Sequence, residues 1–169
     1  MEMYERHRLQ ASGLQSTHLP AALDVLGVLG LVTLGAFVRI PLPFSPVPAT
    51  LQTFFVLACP FLVGPGRSTA ALGLYAALGM AGIPLFAAAP ATLGYVGAFL
   101  LVPWVSTRFR RPIAGMLTAT GLIYLLGAAW LVVGLRMSPA QGLALGVLPF
   151  LPGDAVKLLG AWRLVRWLR

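Results

Sequence analysis

The chain consists of long apolar segments separated by short polar or proline-rich breaks. Six of these segments have the composition of membrane-spanning helices, at residues 21–38, 49–63, 68–83, 93–106, 113–135 and 151–168. Four prolines between residues 41 and 48 exclude a helix there and predict an extended loop. Ser138 followed by Pro139 is typical of a helix start, so we expect a short helix over 139–147. The pattern therefore predicts an all-α bundle of six transmembrane helices, with some helices broken or only partly spanning.

Composition supports a lipid environment. The chain has 169 residues, of which 59% are hydrophobic and only 9% charged, whereas a soluble domain carries about 25% charged residues. We expect a single membrane domain over 1–169, with a polar cytoplasmic segment at 1–20 and the six-helix bundle at 21–168. The net charge of +8 does not indicate a nucleic-acid partner, because the basic residues are scattered at the ends of apolar segments. The single cysteine, Cys59, excludes an intrachain disulfide and a cysteine-rich metal site.

Arginine is distributed unevenly between the two ends of the predicted spans. With six spans, the side that carries both termini holds nine arginines, and the opposite side holds two, Arg39 and Arg136. A count of five or seven spans would break this partition. The positive-inside rule places the arginine-rich side in the cytoplasm. We therefore expect a multi-pass protein whose N and C termini are both cytoplasmic.

Asp154 and Lys157 are the candidates for chemistry. They lie three residues apart at the start of the sixth apolar segment, so they share one face of a helix. Each charge costs roughly 2.5–3.5 kcal/mol at the middle of a bilayer. An acid and a base kept together at that cost indicate a buried polar site. The alternative is a structural ion pair within the helix that binds no ligand.

Small residues recur on two of the predicted spans. Gly27 and Gly35 lie eight residues apart on the first span, and Gly73 and Ala77 lie four apart on the third. Small side chains allow helices to approach closely. These faces predict either ordinary packing inside the bundle or a docking surface for a partner membrane protein.

Five segments of the chain match, in order, the motifs of one known protein family. Residues 46–54 read PVPATLQTF, similar to the family's P-V-P-x-T-x-Q-T signature, and 62–67 read LVGPGR, similar to its L-L-G-P turn. Residues 74–86 read LYAALGMAGIPLF, similar to L-Y-L-x-L-G-x-x-G-x-P-V-F, and 94–99 read GYVGAF, similar to G-G-Y-L-x-G-F. Residues 147–157 read VLPFLPGDAVK, similar to the closing V-x-P-F-x-P-G-D-x-x-K. On these motifs the chain resembles the BioY family and is identified as a member of it.

The resemblance implies a function and partners. BioY proteins are the biotin-binding S components of energy-coupling-factor (ECF) transporters of the cell (plasma) membrane. The implied protein has an S-component-like bundle and no catalytic cofactor, and biotin is its transported ligand. It would capture biotin from outside in a pocket near the outer leaflet and deliver it inward with a transmembrane coupling subunit and two cytoplasmic ATPases. This chain has no G-x-x-x-x-G-K-[ST] motif of its own for ATP hydrolysis.

The resemblance also suggests roles for polar residues of the predicted pocket. Asp154 would accept a hydrogen bond from a ureido N–H of biotin, and Lys157 would hold Asp154 and one ligand oxygen, either ureido or carboxylate. Thr50 and Gln52 follow the proline-rich loop and would meet the polar edge of the ligand. Their alternative roles are helix capping by Thr50 and packing by Gln52.

Further pocket positions come from the matched segments around residues 84–95. Tyr95 would lay its ring on the sulfur-containing ring of biotin or act as an interfacial aromatic, and Phe86 would form an apolar wall or belong to the core. Gly94 and Thr92 are assigned to the pocket through the same segments. Arg39, beside the loop, would steer or clamp a carboxylate, or place its charge in the interface as a snorkelling side chain.

Two departures from the family pattern leave other functions open. Residues 87–92 read AAAPAT where the family usually carries a glycine-rich stretch with polar residues, and the first span lacks the family's Ala-x-x-x-Ala docking row. The main alternative is an S component or solo transporter for a different small vitamin-like solute. The others are a membrane enzyme with Asp154 and Lys157 as its acid–base pair, and an assembly factor that uses the small-residue faces.

Overall fold

The structure is a computed structural model that describes residues 20–169. Residues 1–19, which include nearly all of the polar segment predicted over 1–20, lie outside this range. Within the described residues the elements follow in this order: α1 (Ala21–Phe37), β1 (Arg39–Ile40), β2 (Ala49–Thr50), α2 (Gln52–Val63), α3 (Pro65–Met80), α4 (Leu93–Phe99), α5 (Val102–Thr107), α6 (Pro112–Gly134), α7 (Pro139–Gly146), a 3-10 helix (Leu148–Phe150) and α8 (Leu151–Leu168). The prediction of a helical protein is confirmed.

Helix boundaries agree with the apolar pattern at some places and differ at others. Helices α1, α6 and α8 match the predicted spans 21–38, 113–135 and 151–168 to within one residue at each end. The predicted span 93–106 is broken into two short helices, α4 and α5, which agrees with the expectation that some helices are broken. Pro103 lies in the first turn of α5, where a missing N–H costs no helical hydrogen bond. The short helix predicted after Ser138 is confirmed, with a capping box between Ser138 and Gln141.

The sequence predicted a break between α2 and α3, and in the structure this break consists of a single residue. Gly64 adopts φ 91°, a conformation that glycine takes without steric cost. Pro65 then starts α3 directly, three residues before the predicted start at residue 68, because proline is favoured in the first turn of a helix. Of residues 64–66, which the sequence placed between two helices, only Gly64 is therefore outside a helix.

Residues 39–50 form a crossover whose two ends are paired. Arg39 lies opposite Thr50 and Ile40 opposite Ala49 in an antiparallel ladder, so α2 begins at Gln52 and the predicted start at residue 49 was wrong. The proline-rich stretch between the strands contains no helix, as predicted. Ser45 donates a hydrogen bond from its hydroxyl to the carbonyl of Leu145, 2.7 Å away, which ties the crossover to α7.

The helices pack in pairs around a core that includes Tyr75. Helix α1 lies against α3, α2 against α8, and α4 and α5 against α6. The side chain of Tyr75 is fully buried. At the junction of α1 and α2 the backbones approach closely, since a Cβ added at Gly35 would lie 2.9 Å from the Cα and N atoms of Gln52. Gly35 therefore serves packing within the bundle and is removed from any docking surface.

The surface of the helices is rich in large apolar side chains, including Met80, Val133 and Trp167, each more than 70% exposed. Two helical stretches among the described residues are long and apolar enough to cross a membrane, Pro112–Gly134 and Pro139–Leu168, the second of which combines α7, the 3-10 helix and α8. The remaining helices fall below the roughly 20 residues that a full crossing requires. Six spans with cytoplasmic termini therefore stay a prediction.

Candidate functional site

Three helices converge on the carboxylate of Asp154. The residue lies in the first turn of α8 and is 6% exposed. Its Oδ1 accepts hydrogen bonds from the Nζ of Lys157 at 2.6 Å and from the hydroxyl of Thr53 on α2 at 3.1 Å. Its Oδ2 accepts a hydrogen bond from the hydroxyl of Tyr124 on α6 at 2.8 Å. The carboxylate thus fixes the relative positions of α2, α6 and α8.

The Asp154–Lys157 pair retains unused hydrogen-bonding capacity. A carboxylate offers about four lone-pair directions, and Asp154 uses three of them. Lys157 donates one of its three N–H bonds to Asp154. The pair can therefore accept a hydrogen bond from one N–H donor and donate to one oxygen of a ligand, while its two charges cancel. Among residues 20–169, no group of three or more histidine, cysteine or acidic side chains could hold a metal ion.

A cavity of about 40 Å³ lies beside this pair. The sequence predicted six of the residues that line it: Thr50, Gln52, Thr92, Tyr95, Asp154 and Lys157. The apolar part of the wall includes Val47 and Pro48 from the crossover, Phe99 from α4 and Ile123 from α6. The proline-rich crossover and the start of α8 therefore border one cavity.

The polar side of the cavity continues away from Asp154 as a hydrogen-bonded chain. The hydroxyl of Thr50 donates to Oε1 of Gln52 at 3.4 Å, and Nε2 of Gln52 donates to the hydroxyl of Tyr75 at 2.8 Å. Tyr75 in turn donates to the carbonyl of Leu85 at 2.9 Å. Thr50 does not cap α2, whose first turn has no side-chain cap. Gln52 is buried, and the network fixes its amide at the cavity wall.

Tyr95 lines the same cavity and is fixed by a hydrogen bond. Its hydroxyl donates to the carbonyl of Gly146 at 2.7 Å, and the side chain is 8% exposed, so it is no interfacial aromatic. The ring fills the space left by a glycine on α6, since a Cβ at Gly127 would lie 2.2 Å from the Cε1 atom of Tyr95. Small residues on α6 and α7 therefore set the position of this ring.

Two predicted pocket residues do not line this cavity. Phe86 packs against the ring of Tyr75, with 5.5 Å between the ring centroids, and occupies the space beside Gly79. Gly94 faces α6, where a Cβ would lie 2.2 Å from the Cβ of Trp130. Both residues serve helix packing next to the site, the alternative that the sequence left open for Phe86.

Thr53 and Tyr124 are the site residues that sequence reasoning missed. Thr53 is the last threonine of the PVPxTxQT segment, so its motif was noticed but not its role. Tyr124 is a hydroxyl-bearing residue within an apolar span, which is itself a signal, because a hydroxyl in lipid requires a partner. Its partner, Asp154, lies 30 residues further along the chain and could not be assigned from spacing.

Comparison with known proteins gives consistent results. The sequence model of the BioY family matches residues 11–169. The chain is 34% identical over 137 residues to a probable biotin transporter BioY of Pyrococcus horikoshii, a match that covers 75% of this chain and 82% of the relative. It is 32% identical over 149 residues to a biotin transporter BioY of Thermotoga maritima, covering 78% of this chain and 85% of the relative.

A solved structure shares the fold. The crystal structure of the S-component for biotin from an ECF-type ABC transporter superposes with a TM-score of 0.77, at 23% sequence identity. The match covers 88% of this chain and 90% of that one. At this identity the likeness establishes the arrangement of the helices.

Proposed function

Because the chain belongs to the BioY family, we propose that it is the substrate-binding membrane subunit for biotin uptake. It captures biotin from outside in a pocket near the outer leaflet and delivers it inward with an ECF coupling module, made of a transmembrane subunit and two cytoplasmic ATPases. It spans the cell membrane six times as a single domain, with both termini in the cytoplasm. Its named relatives are transporters, so the proposed role involves no catalysis and no cofactor.

The observation that carries the proposal is the free capacity of the Asp154–Lys157 pair at a cavity wall. The ureido ring of biotin presents two N–H donors and one carbonyl acceptor. The remaining lone pair on Oδ2 of Asp154 suits one of those N–H groups, and a free N–H of Lys157 suits a ligand oxygen. Gln52, Thr50 and Thr92 line the same cavity and supply further polar contacts.

Binding requires the crossover to move. A cavity of about 40 Å³ has room for only a few water molecules, whereas biotin has two fused rings and a carboxylate tail. Two hydrogen bonds hold the crossover down, from Ser45 to the carbonyl of Leu145 and from Arg39 to the carbonyl of Ala87. We infer that the Ser45 bond breaks when biotin enters from the outer side, while the Arg39 bond, at the base of the crossover, is kept.

The proposed docking face keeps its positions on α1 and α3, with the exception of Gly35. Gly27 and Ala77 are exposed, and their helices pack against each other. A partner helix could approach closely at both positions, where no side chain bulkier than a methyl group intervenes. Gly73, which is half-buried on the same helix as Ala77, belongs to the same proposed face.

The experiment is a calorimetric titration of the purified protein, in detergent, with biotin. Asp154→Asn and Lys157→Ala should each weaken binding by about 10- to 100-fold, the loss expected for a hydrogen bond to a charged group. Asp24→Asn is the matched control, because Asp24 is paired at 2.6 Å with Arg67 and does not line the cavity. Unchanged affinity in both site variants would remove the assignment.

A second candidate is a different small vitamin-like solute on the same scaffold. It is favoured by the segment over 87–92, which contributes one polar side chain, that of Thr92, to the cavity wall. The same titration with a panel of other vitamins separates the two proposals. A protein that shows no preference for biotin over the panel would support the second.

A further inference from the structure

A second cavity, called the outer cavity below, lies against the crossover. It has a volume of about 340 Å³ and is open to solvent, and its walls come from the proline-rich stretch and from Ala87 and Ala88. Pro48 borders both this cavity and the one beside Asp154. The two cavities therefore share one wall residue in the crossover.

Arg39 is the charged residue of this outer cavity. It is exposed, and its Nη1 donates a hydrogen bond to the carbonyl of Ala87 at 2.5 Å. A guanidinium has five N–H donors, so four remain for a ligand. The bond to Ala87 fixes the direction of the planar group, which leaves a preorganised surface that matches a carboxylate.

The strand ladder brings Arg39 close to the inner cavity. Arg39 lies directly opposite Thr50, which lines the cavity of Asp154. Residues directly opposite in an antiparallel pair project from the same face, with Cβ atoms about 4.5–5.5 Å apart. A ligand that contacts Thr50 at one end can therefore reach the guanidinium with its other end.

The charges in the two cavities also favour Arg39 as the contact for an anionic group of the ligand. The charged residues of the inner cavity are Asp154 and Lys157, which neutralise each other at 2.6 Å. An anionic tail placed there would meet no unpaired cation. The outer cavity carries one positive charge, on Arg39, and no acidic residue among the residues that line it.

We propose that Arg39 binds the carboxylate of the substrate while the opposite, hydrogen-bonding end is held at Asp154. Arg39 would thus be a specificity-determining residue, and the substrate class would be small amphiphilic molecules with an anionic tail. This inference rests on the proposed function.

The test compares two ligands on each protein, biotin and biotinamide, whose tail is uncharged. The wild-type protein should bind biotin more tightly than biotinamide. Arg39→Gln should weaken biotin binding about tenfold, as expected for one charged contact at a partly exposed position, and should leave biotinamide binding unchanged. The affinity of Arg39→Lys for biotin should lie between those of the wild type and Arg39→Gln, because an ammonium keeps the charge but loses the planar geometry of the guanidinium.

Arg136→Gln is the matched control, since Arg136 is exposed and lies apart from both cavities. It should change the affinity for neither ligand. The proposal is overturned if Arg39→Gln weakens the binding of both ligands equally, which would mean that Arg39 only holds the crossover closed, or if it weakens the binding of neither.

Asp154→Asn separates this inference from the proposed function. If Asp154→Asn also changes the binding of neither ligand, the proposed function itself fails. If Asp154→Asn weakens the binding of both while Arg39→Gln weakens the binding of neither, only this inference fails.

Discussion

Replacing Lys157 with methionine removes a cation that lies 2.6 Å from the carboxylate of Asp154 and keeps a side chain of similar shape. Thr53 and Tyr124 would still donate to the carboxylate, but its charge would be left without a counterion. The side chains of Asp154 and Lys157 are 8% and 17% exposed, so water compensates little. Breaking one side of a buried ion pair costs about 3–5 kcal/mol.

Removing both charges should cost much less. In the double variant Asp154→Asn/Lys157→Met, the asparagine keeps the size of the aspartate and can still accept hydrogen bonds, and no charge remains. Replacing a whole buried pair by neutral groups of similar volume is often close to neutral for stability. At about 2–4 °C per kcal/mol for a chain of this size, we expect Lys157→Met to lower the Tm by about 6–20 °C, and the double variant to recover most of that loss.

The assay is thermal unfolding in detergent without ligand, followed by tryptophan fluorescence, with biotin titrations on the same samples. The double variant should unfold near the wild-type temperature and bind no biotin. That result would show that the pair is kept for the ligand and not for stability. A double variant as unstable as Lys157→Met would refute this reasoning, because the pair would then be structural.

Two other predictions concern packing and positioning. Gly35→Ala places a methyl group 2.9 Å from the backbone of Gln52 and should cost about 1–3 kcal/mol through overpacking, seen as a lower Tm. Gly27→Ala, with nothing within 4 Å of the added group, should leave the Tm unchanged or raise it through about 1 kcal/mol of helix propensity. Tyr124→Phe removes the donor to Oδ2 of Asp154 and should weaken biotin binding about three- to tenfold in calorimetry; an unaltered affinity would exclude Tyr124 as a positioning residue.

The helical architecture could be predicted where a signal was local. Apolar length and flanking proline or serine defined α1, α6, α7 and α8 closely. The start of α2 was missed because the strand ladder of Arg39 with Thr50 depends on a partner eleven residues away. The position of the break between α4 and α5 was not predicted, because the residues between the two helices, Leu100 and Leu101, are themselves apolar.

The site was predictable to the extent that its residues were costly to bury. Asp154 and Lys157 were identifiable because charges in lipid require a reason, and they do meet at a cavity. Thr53 and Tyr124 were not assigned, because their hydroxyls reach Asp154 only when α2 and α6 are packed beside α8. The packing roles of Phe86 and Gly94 could not be decided from sequence, because a matched segment specifies neighbours in sequence and not which way a side chain faces.

The short ladder between Arg39–Ile40 and Ala49–Thr50 has a thermodynamic consequence for ligand entry. A free twelve-residue tether would lose much conformational entropy on closing over a guest, and that loss would be subtracted from the affinity. Here the ladder already pairs the two ends of the crossover, so we expect the crossover to move as one unit instead of folding anew. We therefore expect association with a small entropic penalty and a rate limited by the opening of the crossover.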